Sequence, residues 1–493
     1  MHILMLYPEF PETFWGFRHA LRFIGKRAAQ PPLGLLTVAA LLPESWNIRL
    51  VDCNVEKLRN KHIDQADYVF ISAMSIQKWP AKELIARCKA RGARVVAGGP
   101  LFTAEPELFP EVDHLLTGEG ELTIPRFLRD LAANRLRRRY DAGGFADITR
   151  TPPPRWDLLR QNRYAQRNLQ YSRGCPYNCD FCDIGVLFGR GVRTKTADQV
   201  VLELEELRRS KWRGEVFFVD DNFIGNRPKL RREILPAIAA WMQQRKRPFS
   251  FGTEVSINLA DDKPLMEAMV EAGFDSIFVG IESVSDEALS ECGKQQNRNR
   301  SMIDSVQEMQ RMGLEVTAGF ILGFDSDTPS VFQRISDFIQ ESGIATAMVG
   351  LLNAPRDTAL YKRMQSEGRL LDDISGNNTD GTVNFVPAMG MDTLVEGYRE
   401  VLRHLYAPRA YYARVRQFMQ QYQPGKHTGF RLKFCHLWAL ASSMVRLGIL
   451  GRERRYYWSL LGWTLVRRPG LFPMAVTFSI YGFHYRMFFS GQV

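Results

Sequence analysis

The chain has 493 residues, 45% of them hydrophobic and 24% charged, with a formal net charge of +11 and a pI near 9.3. That length and apolar fraction suit two or three folded domains and exclude a disordered scaffold. The positive balance favours an acidic partner, whether nucleic acid, an anionic membrane surface or a phosphate-bearing ligand.

The opening Met1-His2-Ile3-Leu4-Met5-Leu6-Tyr7-Pro8 has no basic leader and stops at a proline, so it reads as a first β-strand rather than a signal peptide. An odd count of seven cysteines argues for a reducing cytoplasm. No uninterrupted apolar run approaches the length needed to span a bilayer. Through about residue 130, short apolar runs (Ile3–Tyr7, Ile48–Val51, Tyr68–Ser72, Val95–Ala97, His114–Leu116) alternate with helical patterns such as Leu33–Leu42 and Ala81–Arg91. This alternation predicts an α/β, doubly wound, Rossmann-like sheet of parallel strands. Such sheets bind ligands at the carboxyl ends of their strands. The residues there make Ser72, Met74, Ser75, Gly98, Gly99, Gly118 and Glu119 the candidate binding positions, although a glycine after a strand also serves as a plain turn. With Asp52 ending the second strand, the pattern resembles a cobalamin-binding domain. One subset of those domains carries Asp-x-His-x-x-Gly after its first strand, with the histidine on cobalt. Here Tyr7-Pro8-Glu9-Phe10-Pro11-Glu12 stands in its place, so the resemblance implies cobalamin without a protein histidine, packed against Met74 to Gln77.

Residues 131–154 run from a basic stretch, Arg135 to Arg139, through Gly143-Gly144 to Pro152-Pro153-Pro154, and read as a linker. From about 155 to 365, apolar runs at Leu169–Ser172, Val216–Val219, Ser250–Glu254, Ser276–Ile281, Val316–Leu322 and Ala347–Leu352 alternate with helices. Six such units predict a partial (β/α)6 barrel with its reacting groups at the carboxyl ends of the strands. After the first of these strands comes Cys175-Pro176-Tyr177-Asn178-Cys179-Asp180-Phe181-Cys182. Thiolates at this spacing suit zinc or an iron–sulfur cluster, with reduced, metal-free thiols as the competing reading. Structural zinc needs four ligands, yet the next cysteine is Cys292 and the nearest histidines are His114 and His404. A four-iron cluster held by three cysteines keeps one iron open.

The cysteine motif resembles the signature of the radical S-adenosylmethionine (SAM) superfamily. The resemblance implies a [4Fe-4S] cluster on Cys175, Cys179 and Cys182 as catalytic and metal-ligating residues, with SAM chelating the open iron. It further implies one-electron cleavage of SAM to a 5′-deoxyadenosyl radical, fed by an external donor of flavodoxin or ferredoxin type. SAM contacts are implied at Phe181, Asp220, Asp221, Asn222, Glu254, Glu282, Gly323 and Asn353. Asp220 and Asp221 depart from the superfamily's Gly-Gly-Glu form, and each carboxylate has a capping or salt-bridging role as its alternative. Lys294, Arg298 and Arg311 read as solvated helix faces.

Residues 366–493 shift, after Asp372-Asp373, to a mostly helical, basic and aromatic composition. Arg431, Lys433, Arg446, Arg452, Arg454, Arg455, Arg467, Arg468 and Arg486 face one acid, Glu453, among aromatics such as Phe434, Trp438, Tyr457 and Trp458. This reads as helices lying in a membrane interface, with core packing on the barrel or an oligomer contact as alternatives. The leucine and valine content disfavours nucleic acid. Domain order and tail together resemble the branch of cobalamin-dependent radical SAM enzymes with a C-terminal domain like that of the hopanoid C-2 methylase. The resemblance implies a cytoplasmic methyltransferase, peripheral to the inner face of the membrane if the tail binds lipid. It would carry a methyl group through cobalamin to an unactivated carbon of a small molecule or lipid such as a hopanoid. A tetrapyrrole-modifying methylase or cyclase and a non-catalytic cobalamin or redox sensor remain as alternatives.

Overall fold

The computed structural model describes residues 1–371, 375–425 and 434–490, without the side chain of Phe434. Asp372, Asp373, Arg431 and Lys433 lie outside the described residues, as does the Phe434 side chain. Two six-stranded parallel sheets organise the described chain. The first contains β1 (His2–Tyr7), β2 (Asn47–Asp52), β3 (Tyr68–Ser72), β4 (Val95–Gly98), β5 (His114–Thr117) and β6 (Arg139–Asp141). Its order is β2-β1-β3-β4-β5-β6. Residues Ile3 to Leu6 of β1 are buried, as expected of a strand covered on both faces. The chain moves outward from β1 in one direction to β2 and in the other to β3, so the crevice beyond Tyr7 and Ser72 is the switch point where ligands of such sheets bind. β6 comes from the stretch expected to be a linker and pairs with β5 from Leu115↔Arg139 to Thr117↔Asp141. Three residues are too few to show a period-2 signal among arginines.

The second sheet joins β7 (Arg167–Leu169) to β10 (Gly214–Phe218), β11 (Phe249–Val255), β12 (Phe274–Glu282), β13 (Glu315–Leu322) and β14 (Ala347–Leu351). Its strands lie in sequential order, the layout of an open (β/α)6 barrel. β8 (Ser172–Arg173) leaves this sheet and pairs antiparallel with β9 (Arg193–Thr194). The cysteine loop is therefore held between the arms of a small ribbon.

Helices Met391–Tyr406 and Pro408–Gln421 pack on the barrel helix Ser330–Ser342. Fully buried Arg414 donates to the Leu405 carbonyl at 3.1 Å beside the rings of Tyr406 and Tyr411. The last helix, Phe472–Ser490, returns to the N-terminus. There Tyr485 stacks on Phe14 with ring centroids 4.4 Å apart. Much of the tail's aromatic content is therefore core, including Tyr457, Phe478, Tyr485, Phe488 and Phe489.

The first sheet is clamped by buried charge to the ribbon that holds the cysteine loop. Glu119, just after β5, and Glu121 accept from Arg193 of β9 and Arg173 of β8, with closest approaches of 2.7 Å in each pair, and Arg173 also reaches Glu119 at 3.3 Å. The Glu119 side chain is 3% exposed. Both of its carboxylate oxygens are engaged by Arg193, and the residue also lines the cleft between the two sheets. Burial works against ionisation of Glu121, yet Arg173 holds its carboxyl below the usual range. Removing one partner strands a buried charge. Arg193→Met is expected to destabilise the protein by about 3 kcal/mol, read as a lowered thermal midpoint, whereas Arg311→Met on an exposed helix face should be neutral.

At the opposite, amino-terminal end of the barrel, Glu215, Asp275 and Glu315 begin β10, β12 and β13 and face one another. Burial, then repulsion from their neighbours, pushes Asp275 and Glu315 each up to about 8. A carboxyl whose pKa is raised by folding stabilises the fold while protonated, and that contribution is lost as pH rises through the folded value. Wild-type stability should therefore decline from about pH 4 to pH 8. Asp275→Asn with Glu315→Gln should flatten the profile and raise the midpoint most above pH 8, by roughly 2 °C or more. Calorimetry across that range checks the sign.

Candidate active site

The cysteine loop begins at Gly174, whose φ of +86° suits glycine. A Cβ there would stand 2.8 Å from the carbonyl oxygens of Gly189 and Gly191. The two aspartates after β10 shape this entry. Asp220 accepts from the Tyr171 amide at 3.1 Å, the Ser172 hydroxyl at 2.5 Å and the Ser172 amide. Asp221 accepts from the Gly174 amide at 2.9 Å. Both therefore act as anchors of the loop. Farther along, the Asp180 amide donates to the Cys292 carbonyl at 3.0 Å and Leu360 donates to the Asp180 carbonyl at 3.0 Å. Gly293, φ +72°, leaves room for the Asn178 carbonyl.

Cys175, Cys179 and Cys182 are free and half-buried. Burial raises all three thiols, Cys182 to about 12. Opposing this, the Tyr177 amide and the Asn222 side chain lower Cys175, the Gln296 side chain lowers Cys179 and the Ile184 amide lowers Cys182, while Lys294 attracts each sulfur's negative form. Polar N–H groups near sulfur, with a cation beside them, favour the thiolate that a cluster ligand must be. No three His, Cys, Asp or Glu groups among the described residues converge as ligands of a single ion would. Three cysteine sulfurs on one short loop are nonetheless the donor type that iron–sulfur clusters take. Cys292 lies behind the loop, its thiol turned towards the Leu289 carbonyl at 3.7 Å in a small apolar cluster.

Lys294, read from the sequence as a solvated face, is instead largely buried. Its ammonium lies 2.7 Å from Glu282 in a pair whose side chains are 12% and 10% exposed. Although burial opposes its charge, Glu282 and Cys179 raise its pKa above the ordinary value. Glu282 sits at φ +65°, a left-handed backbone that a non-glycine residue adopts at a cost of about 1–3 kcal/mol. The pair fits because Gly280 has no side chain: a Cβ there would run into the Glu282 carboxylate and stand 2.9 Å from the Lys294 Nζ. Arg311 is exposed, as expected, and Arg298 is half-buried. Glu254, at the end of β11, makes no side-chain hydrogen bond among the described residues. Burial, then Asp221, Asp220 and Glu282, pushes it up to about 8. A carboxylate left unpaired among other acids fits a ligand that brings positive charge, as a sulfonium and an ammonium do.

Three further expected SAM contacts are held by neighbours within the protein. Phe181 packs edge-to-face on Phe324 with centroids 6.3 Å apart. Gly323 donates its amide to Asp327 at 3.0 Å and lies under Leu394. The Asn353 amide donates to the Leu351 and Thr382 carbonyls at 3.2 and 3.1 Å. Asn222 donates to the Ser256 hydroxyl at 3.3 Å beside Cys175.

A cleft of about 1960 Å³ joins the strand ends of the first sheet to the inside of the barrel. Ser72, Met74, Gly98, Gly99 and Gly118 border it from one side and Asp221 and Glu254 from the other. Gly99, φ +98°, could not carry a Cβ without meeting the Ser72 hydroxyl at 2.5 Å. Ser75 is set back from the cleft, its backbone packed on Gly376. No histidine of the first domain lines the cleft among the described residues. Met74, 48% exposed, stands past β3 at the mouth of the cleft, and the space left at Gly98 and Gly99 lets a large flat group approach the strand ends. The segment after β1 crosses the cleft and sets Trp15 against the barrel. Its indole lies 3.0 Å from the Met348 sulfur and edge-on to Phe278 at 5.4 Å.

Family models match in the same order along the chain: a B12 binding domain at residues 27–128, the radical SAM superfamily at 169–339, and a domain of unknown function, DUF4070, at 358–492. The chain is 38% identical over 490 residues to an uncharacterised methyltransferase of Synechocystis, covering 98% of this chain and 91% of that protein. It is 35% identical over 413 residues to the hopanoid C-2 methylase of Rhodopseudomonas palustris, covering 83% and 77% respectively. The fold matches that of the cobalamin-dependent radical SAM enzyme OxsB, solved with aqua-cobalamin and SAM, at a TM-score of 0.64 and 15% identity over 100% of this chain and 84% of that one. With its [4Fe-4S], SAM and cobalamin cofactors, the chain belongs to the cobalamin-binding radical SAM enzymes, in the methyltransferase branch whose C-terminal domain is like that of the hopanoid C-2 methylase.

Proposed function

We propose that the enzyme methylates an unactivated carbon of an apolar, ring-bearing lipid such as a hopanoid. The cleft carries this reading. At about 1960 Å³ it has room for a large acceptor, it touches both cofactor-binding domains, and its lining includes Trp15 of the segment after β1 with Phe217, Phe278 and Met348 of the barrel. Such walls recognise hydrocarbon by shape and contact area rather than by hydrogen bonds. An aliphatic carbon offers no acidic proton to a general base, so the bond-breaking falls to the cofactors. When bound, these supply an electron, hydrogen abstraction and a methyl group. The chain supplies placement. Cys175, Cys179 and Cys182 would hold the cluster, with Lys294 offsetting their charge. Asp221 and Glu254 would face the cationic groups of SAM. Ser72, Met74, Gly98, Gly99 and Gly118 would border cobalamin. Trp15 would orient the acceptor and keep water from the reacting carbon. We place the enzyme in the cytoplasm, with an external one-electron donor of flavodoxin or ferredoxin type, drawing its lipid from the inner face of the membrane.

The test is anaerobic turnover of the cobalamin-loaded, reconstituted enzyme with methyl-deuterated SAM and detergent-dispersed hopanoids. Label in the lipid with matching 5′-deoxyadenosine is the expected result. Label in an added tetrapyrrole but in none of the lipids would overturn the reading. Replacing Cys175, Cys179 or Cys182 with Ala should abolish both the visible cluster absorbance and deoxyadenosine release. Lys294→Met should keep the fold but lower the reduction potential of the cluster, because an added electron loses its nearest cation, and should slow deoxyadenosine release roughly tenfold. Lys294→Arg should restore part of the rate.

A further inference from the structure

The helix Phe434–Ser443 runs into a π-helical turn, Met444–Ile449, and is followed by the helix Arg454–Arg467. On the first pair, Leu437, Ala441, Met444 and Val445 are exposed at helical spacing, with Trp438 beside them at 58% exposure and Ile449 and Leu450 beyond. On the second, Arg455, Trp458, Gly462 and Leu465 repeat at intervals of three and four and are all exposed. Val466 alongside is 80% exposed. Trp458 joins the two stripes, its indole donating to the Gly448 carbonyl at 2.9 Å. The two stripes therefore form one surface.

Arg446, Arg452, Arg454, Arg455 and Arg467 border this surface and are exposed. The single acid among them, Glu453, is buried and paired with Arg486 at 2.6 Å. Bare leucine, valine and tryptophan fringed by arginine is complementary to a surface that is apolar inside and anionic at its rim. No helix among the described residues is long and apolar enough to cross a membrane, so contact would be from one side. The cleft also reaches this region: His436, next to Leu437 on the same helix, lines it, as do Leu471 and Met474 beyond the second helix.

We propose that this face docks on an anionic lipid bilayer and that the cleft beside it admits the acceptor lipid from there. The second half of this assignment rests on the lipid reading above, whereas the docking itself does not. The experiment is co-sedimentation of the full chain with vesicles of phosphatidylcholine alone or mixed with phosphatidylglycerol, at low and high salt. The wild type is expected to sediment with the mixed vesicles and to be released by salt. Leu450→Asp with Val466→Asp should bind roughly tenfold less, with an unchanged circular dichroism spectrum and unchanged deoxyadenosine release in detergent. Trp438→Gln, a milder change, should weaken binding in the same direction. Arg454→Glu with Arg455→Glu should abolish the preference for phosphatidylglycerol. Wild type that stays in the supernatant, or aspartate variants that sediment like wild type, would overturn the proposal. So would a wild-type dimer, seen by sedimentation velocity, that the aspartate pair converts to monomer without any vesicle binding, since the face would then belong to a second copy. If vesicle binding behaves as expected while no lipid takes up label, the choice of acceptor falls and the docking face stands.

Discussion

The arrangement depends on a knot of buried charge between the first sheet and the ribbon that holds the cysteine loop, Glu119 and Glu121 on one side and Arg173 and Arg193 on the other. Arg173 is two residues before Cys175, so the same contact that joins the domains also sets the origin of the cysteine loop. The planar guanidinium matters here, because its fixed fork meets a carboxylate with two parallel bonds and leaves little freedom of rotation. With the knot in place, the carboxyl ends of both sheets open onto one space, and a group carried on one domain can meet a group carried on the other. Burial makes the contact hard to slip as well as directional, since either partner alone would be a desolvated charge.

Around that origin the loop is built by subtraction as much as by addition. Gly174, Gly280 and Gly293 are needed because carbonyls, a carboxylate and an ammonium occupy the space their side chains would fill. Asp220 and Asp221 bind amides of the incoming strand. Little backbone at the entry is left to move, which suits a site whose ligands must stay put while charge passes through them.

Much of this was legible from the chain. The strand positions agree with the described ones to within a few residues because buried parallel strands write themselves as short apolar runs. The cysteine spacing named its own chemistry. The burial of Lys294 and the arginine partner of Glu119 were not foreseen, for a common reason: local pattern records the face a residue occupies on its own element, whereas burial of a charge depends on a partner far along the chain. Lys294 meets Glu282 across twelve residues and a glycine, and Glu119 meets Arg193 across more than seventy. The Cys292-Gly293-Lys294 run, with a glycine before a lysine, was the one local sign. The exposed stripe on the C-terminal helices could not be separated from the aromatic core in sequence, because both use the same residue types and only packing divides Trp438 from Tyr457.

The segment after β1 is anchored at Phe14 against the last helix and reaches across to the barrel with its next residue, Trp15. It makes none of the hydrogen bonds that shape the cysteine loop. On the function proposed above, a change of side chain at Trp15 would reshape the wall of the cleft while leaving the hydrogen bonds of the cysteine loop as they are. Specificity and radical generation would then be set by separate stretches of the chain.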